Sequence, residues 1–331
     1  MLLGGDPERS REAADRAAAV AVSLGIPHRV IDARAAFEDA VVGDFVSEYA
    51  RGRTPNPCIL CNRLLKFGLL LDEARAIGAE RLATGHYAAI RPGASCGTLR
   101  LASGRDSLKD QSYFLYSLTQ AQLGFALFPL GDMTKDEVRG IAASHGLGVE
   151  RERESADTCF VPRGDLAAFL AARAPRSVIP GPIVDSSGKR VGTHRGLALY
   201  TIGQRSGLGV TAAAAVYVVR IVPEENTVVV GEDRELHARS LTARPLSWIA
   251  GAPPAARFSA LAKVRYGAPK APCAVDVRGD EAAVLFDQPQ RAFAAGQAVV
   301  LYDGDEVLGG GVIASPPVLE SSEPLQREGV A

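Results

Sequence analysis

The chain of 331 residues lacks an excess of either charge, because 37 lysines and arginines balance 38 aspartates and glutamates. A nucleic-acid partner would therefore have to be held by a local basic patch. The sequence also lacks an apolar run of membrane-spanning length and a leader in which basic residues precede an apolar segment. We therefore expect a cytoplasmic protein with no membrane contact.

Cysteine is scarce, and its number is odd. The five cysteines are irregularly spaced, at Cys58, Cys61, Cys96, Cys159 and Cys273. A chain of this length can bury sizeable cores without covalent cross-links, so this pattern excludes a disulfide framework. It indicates a reducing compartment and individual roles for some of the thiols.

The most informative stretch spans residues 52–62, Gly-Arg-Thr-Pro-Asn-Pro-Cys-Ile-Leu-Cys-Asn. A helical backbone conformation is disfavoured for the residue before a proline, so Thr54 and Asn56 should be extended or turned. We expect a helix to begin near Cys61, where unpaired N–H groups and the helix dipole would lower the pKa of its thiol. A zinc site on Cys58 and Cys61 would need two more ligands, and no second pair at zinc spacing exists, so no metal is predicted.

A thiol that relays sulfur as a persulfide needs a second thiolate to attack it. Cys159 lies in a polar connector and is the candidate partner of Cys61. Cys58 fits the alternative of a small buried residue better than Cys61 does. Cys96, in a glycine-flanked turn, and Cys273, in a β region, are expected to be incidental.

Two architectures follow one another along the chain. Alternating helices and strands, among them an amphipathic helix over residues 35–50, predict a parallel α/β sheet. Sites in such sheets lie at the carboxyl ends of strands, where Gly85-His86 falls. From Pro180 onward, short β-type runs between turn residues predict two small β-barrels. We expect four parts: a catalytic domain (1–174), a central β domain (175–241), a C-terminal β-barrel (242–316) and a flexible tail (317–331).

Four local features are predicted within the first part. The helix that follows the two nearby thiols should end at Gly78, and turn residues predict a small hairpin excursion over residues 88–102. An aromatic helix is expected after Gln111, and Thr134 begins a capping box for a further helix.

Two local basic clusters stand out against the neutral total. One comprises Lys189-Arg190, His194-Arg195 and Arg205, and the other comprises Lys263, Arg265 and Lys270 around Tyr266. Basic side chains beside tyrosines suit phosphate contacts together with base stacking. A basic cluster of this kind, taken alone, is more often a solvated face.

The segment 52–62, followed by Lys66-Phe67, resembles the tRNA-specific 2-thiouridylases, the MnmA/TrmU family. The resemblance runs from about residue 12 to residue 313, with further matching blocks in the same order at Ala83–Tyr87, Lys109–Leu115, Phe128–Gly131, Cys159–Val161 and Tyr200–Gly209. It implies a partial PP-loop (adenine nucleotide hydrolase-like) α/β domain followed by two small β-barrel-like domains.

The resemblance implies an enzyme that replaces the C2 oxygen of the wobble uridine, position 34 in the tRNA anticodon stem-loop, with sulfur. ATP, accompanied by Mg²⁺, would adenylate that oxygen. A persulfide on Cys159, loaded by a sulfur-donor protein, would supply the sulfur. Cys61 would be the nucleophile, and the reaction can end in a Cys61–Cys159 disulfide.

Further site residues are carried over position by position. Asn56, Pro57 and Cys58 match the segment that touches the target base; some family members have aspartate in place of Cys58, so this thiol need not be a nucleophile. Gly85 matches a nucleotide contact. The positions that match tRNA contacts are His86, Lys109, Asp110, Gln111, Arg265, Tyr266 and Gln297.

The sequence departs from the family at its start. The family begins with a strand and a Ser-Gly-Gly-x-Asp-Ser loop whose backbone N–H groups hold the ATP pyrophosphate, whereas this chain has only Gly4-Gly5-Asp6, followed by proline. We expect the loop, its helix and a strand to be missing from this sequence, leaving apolar sheet edges exposed. Two main hypotheses remain: a 2-sulfurtransferase represented here by an N-terminally incomplete sequence, and a non-catalytic tRNA-binding remnant. A third option, an RNA-binding module stabilised by zinc on Cys58 and Cys61, predicts stoichiometric zinc in the purified protein.

Overall fold

A computed structural model describes residues 1–4, 7–93, 97–147, 158–162, 165–210 and 215–315. Gly5, Asp6, Cys96, the connector 150–157 and the predicted tail 317–331 lie outside these residues. Along the described residues, no helix combines the length and the apolarity needed to span a membrane.

The first part of the chain is mainly helical. Helix α1 (Pro7–Ser23) is alanine-rich, and α2 (Arg34–Phe37) continues through a π-helical stretch (Glu38–Val42) into α3 (Gly43–Ala50). This continuous segment buries Phe37, Val41 and Phe45 on one face, which confirms the predicted amphipathic helix.

The segment that carries the two nearby thiols is one continuous helix. Helix α4 (Pro57–Leu60) leads into a π-helical stretch (Cys61–Leu69) and then into α5 (Leu70–Ala76). Gly78, with φ of +80°, follows its end, as the sequence predicted. The predicted start near Cys61 is wrong, because Asn56 caps a helix whose first residue is Pro57, a position that suits proline.

The parallel sheet consists of two short pieces in the described residues. Strand β1 (Leu82–Ala83) pairs in parallel with β4 (Ala126–Leu127), and Leu2 forms an isolated parallel bridge with Asp32. Large apolar side chains nearby are exposed, including Val22 (80%) and Ile77 (62%). These side chains lie on or directly after helices, so the expected exposure of apolar sheet edges stays a prediction.

The hairpin of β2 (Ala88–Pro92) and β3 (Leu99–Ser103) is not a separate excursion. Strand β3 pairs with the last strand of the chain at Ala102 and Leu101, so the hairpin extends the C-terminal sheet. This pairing joins the α/β part to the C-terminal barrel through a shared core that contains Leu101, Tyr113 and Tyr302.

The aromatic segment after Gln111 is a short 3-10 turn (Ser112–Leu115), and the helix predicted there is wrong. The Asp110 carboxylate accepts the backbone N–H groups of Gly104 and Ser112, and the Tyr113 hydroxyl donates to the Ala298 carbonyl at 2.9 Å. These bonds, the last of which joins residues far apart in the sequence, fix a turn. Three helices follow: α6 (Gln120–Phe125), α7 (Lys135–Ser144), which has the predicted capping box at Thr134, and α8 (Leu166–Arg173).

Two β units follow in the described residues. The central sheet has the order β6 (Arg190–His194), β5 (Gly181–Asp185), β8 (Thr227–Gly231), β7 (Tyr217–Val222). The C-terminal barrel has six strands in the order β13 (Ala298–Asp303), β10 (Arg257–Lys263), β11 (Ala271–Arg278), β12 (Glu281–Arg291), β9 (His237–Trp248), β14 (Glu306–Ser315), and pairing of β13 with β14 closes it. The predicted fold class, α/β followed by two small β units, is confirmed.

Candidate active site

One cavity of about 950 Å³ collects most of the residues that the sequence singled out. It is lined by Asn56, Pro57, Cys58, Cys61, Gly85, His86, Lys109, Gln111, Cys159 and Tyr266. Three other predicted site residues, Asp110, Arg265 and Gln297, are not part of its lining. The structure therefore brings the thiol loop, the end of β1 and the distant Cys159 to one place.

The start of the thiol helix is fixed locally. Asn56 is extended (φ −112°, ψ 94°), as predicted, and its Oδ1 accepts the backbone N–H of Cys58 at 3.2 Å. Cys61 consequently lies more than one turn inside the helix, away from the unpaired N–H groups. The predicted lowering of its pKa is wrong, because burial raises the pKa of Cys61 to about 11.

Three thiols share the cavity. Cys58 and Cys159 are exposed to it, and partial burial raises the pKa of each, whereas Cys61 is buried. A negative charge on Cys159 would raise the pKa of both Cys58 and Cys61, so the three sulfurs lie within electrostatic reach of one another. All three are free thiols.

Lys66 is a site residue that the sequence reasoning did not assign. Its positive charge lowers the pKa of Cys58, Cys61 and Cys159, opposing the effect of burial. In an α-helix, Lys66 would point about 140° away from Cys61. The π-helical stretch Cys61–Leu69 has a wider turn, which brings the residue five positions on closer to the same face. The spacing Cys-x₄-Lys was visible, but its significance depends on that local geometry.

The charges of the lining residues have a single sign. Lys66, Lys109 and Lys135 line the cavity, whereas none of its described lining residues is an aspartate or a glutamate. Such a surface favours polyanions, which include nucleic-acid backbones and nucleotide phosphates. In the described part of the chain, no cluster of three or more His, Cys, Asp or Glu side chains could hold a metal ion.

Gly85 and His86 follow β1, at the end of a parallel strand as predicted. His86 is buried, its Nδ1 lies 2.8 Å from the Thr84 hydroxyl, and its ring packs against Phe67 and Phe128. Burial, assisted by the charge of Lys66, lowers the pKa of His86 to about 3, so the imidazole is neutral near pH 7. His86 is therefore a polar but uncharged part of the cavity wall.

The three residues of the triplet Lys109-Asp110-Gln111 have different environments. Lys109 and Gln111 line the cavity, whereas Asp110 is buried and its oxygens accept hydrogen bonds from within the chain. Gln111 also accepts the N–H of Tyr87 at 3.0 Å and donates its own backbone N–H to the Tyr87 carbonyl at 2.8 Å. Asp110 and Gln111 thus fix the backbone beside His86.

The C-terminal barrel contributes to the mouth of the cavity. The Tyr266 ring lies 4.5 Å from that of Phe114, and the Lys263 ammonium lies 5.8 Å from the Tyr266 ring. Arg265 is exposed outside the lining. Gln297 donates from Nε2 to the Thr54 carbonyl at 2.8 Å, so this side chain contacts the thiol loop.

Two other sequence assignments concern residues far from the cavity. Cys273 is buried in the barrel, where its thiol donates to the Ala260 carbonyl and burial raises its pKa to about 12. This agrees with an incidental role. His194 is buried and bonded to the Asn226 carbonyl, so it does not belong to an exposed basic cluster as expected.

Comparisons with known proteins agree with this architecture. The chain matches the tRNA methyl transferase HUP domain over residues 6–163, the tRNA methyl transferase PRC-barrel domain over 167–232 and the aminomethyltransferase beta-barrel domain over 238–313. These matches define a HUP-domain protein with two β domains appended.

Individual relatives narrow the class further. The chain is 48% identical to the tRNA-specific 2-thiouridylase MnmA of Magnetococcus marinus, over 89% of this chain and 82% of that protein. It is also 48% identical to the protein of the same name from Moorella thermoacetica, over 92% and 86% of the two chains. The relative from Heliobacterium modesticaldum is 45% identical over 97% and 86%. The chain therefore belongs to the tRNA-specific 2-thiouridylase family of enzymes, which confirms the resemblance found in its motifs.

Proposed function

We propose that this protein is a tRNA-uridine 2-sulfurtransferase that thiolates the wobble uridine of tRNA in an ATP-dependent reaction through a persulfide on Cys159. The observation that carries the proposal is the common cavity of Cys61, Cys159 and the Asn56-Pro57-Cys58 loop. A single extruded anticodon base could meet both sulfur atoms there, and bases in RNA loops are commonly recognised in this splayed-out form.

Two observations support a nucleotide in the same cavity. Lys66, Lys109 and Lys135 supply charge for its phosphates, which would in turn hold most of the coordination of Mg²⁺. A Cβ added at Gly85 would meet only Leu130, at an ordinary 3.7 Å, so packing within the chain does not require a glycine there. The glycine instead leaves room for a ligand. ATP, when bound, would supply the adenylyl group that makes the C2 oxygen of uridine a good leaving group.

The residues of the chain carry the sulfur transfer. The terminal sulfur of the Cys159 persulfide attacks C2, forming the C2–S bond while the activated C2–O bond breaks and its electron pair leaves with the oxygen. The Cys61 thiolate then attacks Sγ of Cys159. A Cys61–Cys159 disulfide forms, the bond from Sγ to the transferred sulfur breaks, and 2-thiouridine is released. A dithiol reductant must reduce the disulfide before the next turnover.

Protonation of Cys61 controls the second step. Burial favours the neutral thiol, whereas Lys66 favours the thiolate that the displacement requires. Lys66 is accordingly assigned the role of stabilising the Cys61 thiolate. His86, held neutral beside Thr84, completes the wall of the base pocket.

The remaining assignments concern partners and organisation. We propose that tRNA is bound by Lys109, Arg265 and Tyr266, with Tyr266 as a stacking surface, and that a donor protein loads sulfur onto exposed Cys159. The contacts of Asp110 and Gln297 within the chain favour indirect roles in RNA binding. Free thiols suit a reducing cytoplasm. We retain the division into parts at residues 174, 241 and 316 as a proposal.

The test is formation of 2-thiouridine at position 34. The chain, expressed with and without the codons upstream of its first residue, should be introduced into a strain that lacks this modification, and its tRNA analysed by mass spectrometry. Restoration of 2-thiouridine supports the enzyme. Purified protein that binds tRNA, yet forms no 2-thiouridine from ATP and a persulfide donor in either form, would identify a non-catalytic remnant.

A further inference from the structure

Asn62 is a buried polar residue that lines the cavity and has no role in the function proposed above. It directly follows Cys61, lines the same cavity, and is only 3% exposed. Its Nδ2 donates to the Phe114 carbonyl at 3.2 Å. Its Oδ1 has no hydrogen-bond partner within the described part of the chain.

The orientation of this amide is set by its neighbour. The Phe114 carbonyl can only accept, so the NH₂ end of Asn62 must face it and Oδ1 must be the end left over. A buried acceptor without a partner is costly, and such groups in native proteins call for an explanation. Ser117 also has a buried, unpartnered oxygen, but it does not line the cavity. Asn62 combines an unused acceptor with a ligand-sized space.

An unused acceptor selects a ligand that carries a hydrogen-bond donor. The pairing edge of uracil has one such donor, N3–H, between the acceptors O2 and O4. Cytosine presents an unprotonated N3 at the same position, which would face the Asn62 oxygen with a lone pair. Enzymes that act on an extruded base commonly read this edge through hydrogen bonds.

We propose that Asn62 Oδ1 accepts the N3–H of the target uracil, making Asn62 a specificity-determining residue that selects uridine over cytidine. The inference rests on the proposed function and names how its substrate is read. Placement agrees with the chemistry, because C2 and N3 are adjacent ring atoms and Cys61 and Asn62 are adjacent residues facing one cavity. An amine of a bound nucleotide is the other possible N–H source, and the experiment separates the two.

The test changes the base before it changes the protein. Affinities are measured by fluorescence anisotropy for anticodon stem-loop RNAs with uridine, 3-deazauridine or cytidine at position 34. In 3-deazauridine a C–H group replaces N3–H. The full chain should bind the 3-deazauridine RNA roughly 5- to 150-fold more weakly than the uridine RNA, the range for leaving a buried acceptor unpaired. It should also bind the cytidine RNA more weakly than the uridine RNA.

The variant Asn62→Leu should bind the uridine and 3-deazauridine RNAs with equal affinity. The matched control is Ser117→Ala, which removes a buried, unpartnered oxygen outside the cavity and should keep the discrimination of the wild-type protein. ATP affinity is measured for all three proteins and should not change in Asn62→Leu.

Several outcomes overturn the inference. Equal wild-type affinity for uridine and 3-deazauridine does so whatever the fate of the variant, as does discrimination retained in Asn62→Leu. A loss of ATP affinity in Asn62→Leu, with RNA discrimination unchanged, would assign Oδ1 to the nucleotide. Failure of the wild-type protein to bind any of the RNAs would refute tRNA as the substrate, and this inference with it. If the wild-type protein thiolates uridine specifically but binds uridine and 3-deazauridine RNAs equally, the role of Asn62 is refuted and the proposed function stands.

Discussion

Replacing Gln297 with alanine should loosen the loop that leads into the thiol helix. Gln297 lies on the barrel, and its Nε2 donates to the Thr54 carbonyl at 2.8 Å, while the Thr54 N–H donates to the Ala295 carbonyl at 2.8 Å. Between them, Gly296 lies against the Thr54 backbone, where an added Cβ would come within 3.1 Å. The barrel therefore holds Thr54 from both sides, two residues before Asn56.

The size of the effect follows from the single bond that is removed. A hydrogen bond of this kind contributes about 1 kcal/mol net, which corresponds to roughly a five-fold change in the equilibrium between closed and open loop. Hydrogen exchange followed by mass spectrometry should show the Thr54 amide exchanging roughly five-fold faster in Gln297→Ala. Gln297→Glu should have a larger effect near pH 7, because a carboxylate would face the carbonyl and donate nothing.

A matched control comes from the same barrel. Gln290→Ala removes a half-buried glutamine whose Nε2 donates to the nearby Gln288 carbonyl, and it should leave exchange at Thr54 unchanged. The reasoning would be refuted if Gln297→Ala weakened tRNA binding while the exchange rate of Thr54 stayed at its wild-type value. That result would make Gln297 a direct RNA contact, as the family resemblance implies.

Three further results are expected. Cys61→Ser and Cys159→Ser should each abolish 2-thiouridine formation, whereas Cys273→Ser should retain it; equal loss in all three would mean that the wrong thiols were chosen. Lys66→Met should raise the pKa of Cys61 and Cys159 further and slow their alkylation by iodoacetamide at pH 8 several-fold, and an unchanged rate would contradict the electrostatic role of Lys66. Because the pKa of His86 is about 3 when folded and about 6.5 when unfolded, the unfolded chain binds more protons between these values, so stability falls as the pH falls. Urea unfolding at pH 6.5 and pH 5 measures this loss of stability. The loss should be about 2 kcal/mol smaller in His86→Gln than in the wild-type protein, and an identical pH dependence in the two proteins would refute the assignment.

Local sequence rules predicted several features correctly, and for one feature the correct rule was available but was not applied. The turn at the prolines, the strand before Gly85 and the capping box at Thr134 depend on neighbouring residues, and each is present. The start of the thiol helix was also a local matter, because asparagine followed by proline is a good helix cap and first residue. The prediction that the helix begins near Cys61 placed this thiol at the helix N-terminus, whereas the helix begins four residues earlier, at Pro57.

Other features depend on contacts that no local rule contains. The pairing of Leu101 with Val307 crosses about two hundred residues and turns a predicted excursion into part of the barrel sheet. The contact of Gln297 with Thr54 likewise depends on a distant partner, whereas buried Asp110 is bonded to the nearby Gly104 and Ser112. Motif matching identified these positions without indicating that their contacts lie within the chain.

The apolar cluster that brings Cys159 to Cys61 also disfavours their ionisation. Phe160 packs edge-on against Phe37 at 5.4 Å and Phe45 at 5.0 Å, which anchors the residue next to Cys159 in the cluster that buries Cys61. An aromatic wall can hold two distant thiols together, but burial raises their pKa. The proposed sulfur relay needs a thiolate, so a positive charge has to lie in the same wall. Lys66 meets that requirement, and the π-helical turn explains how a lysine five residues after Cys61 can do so.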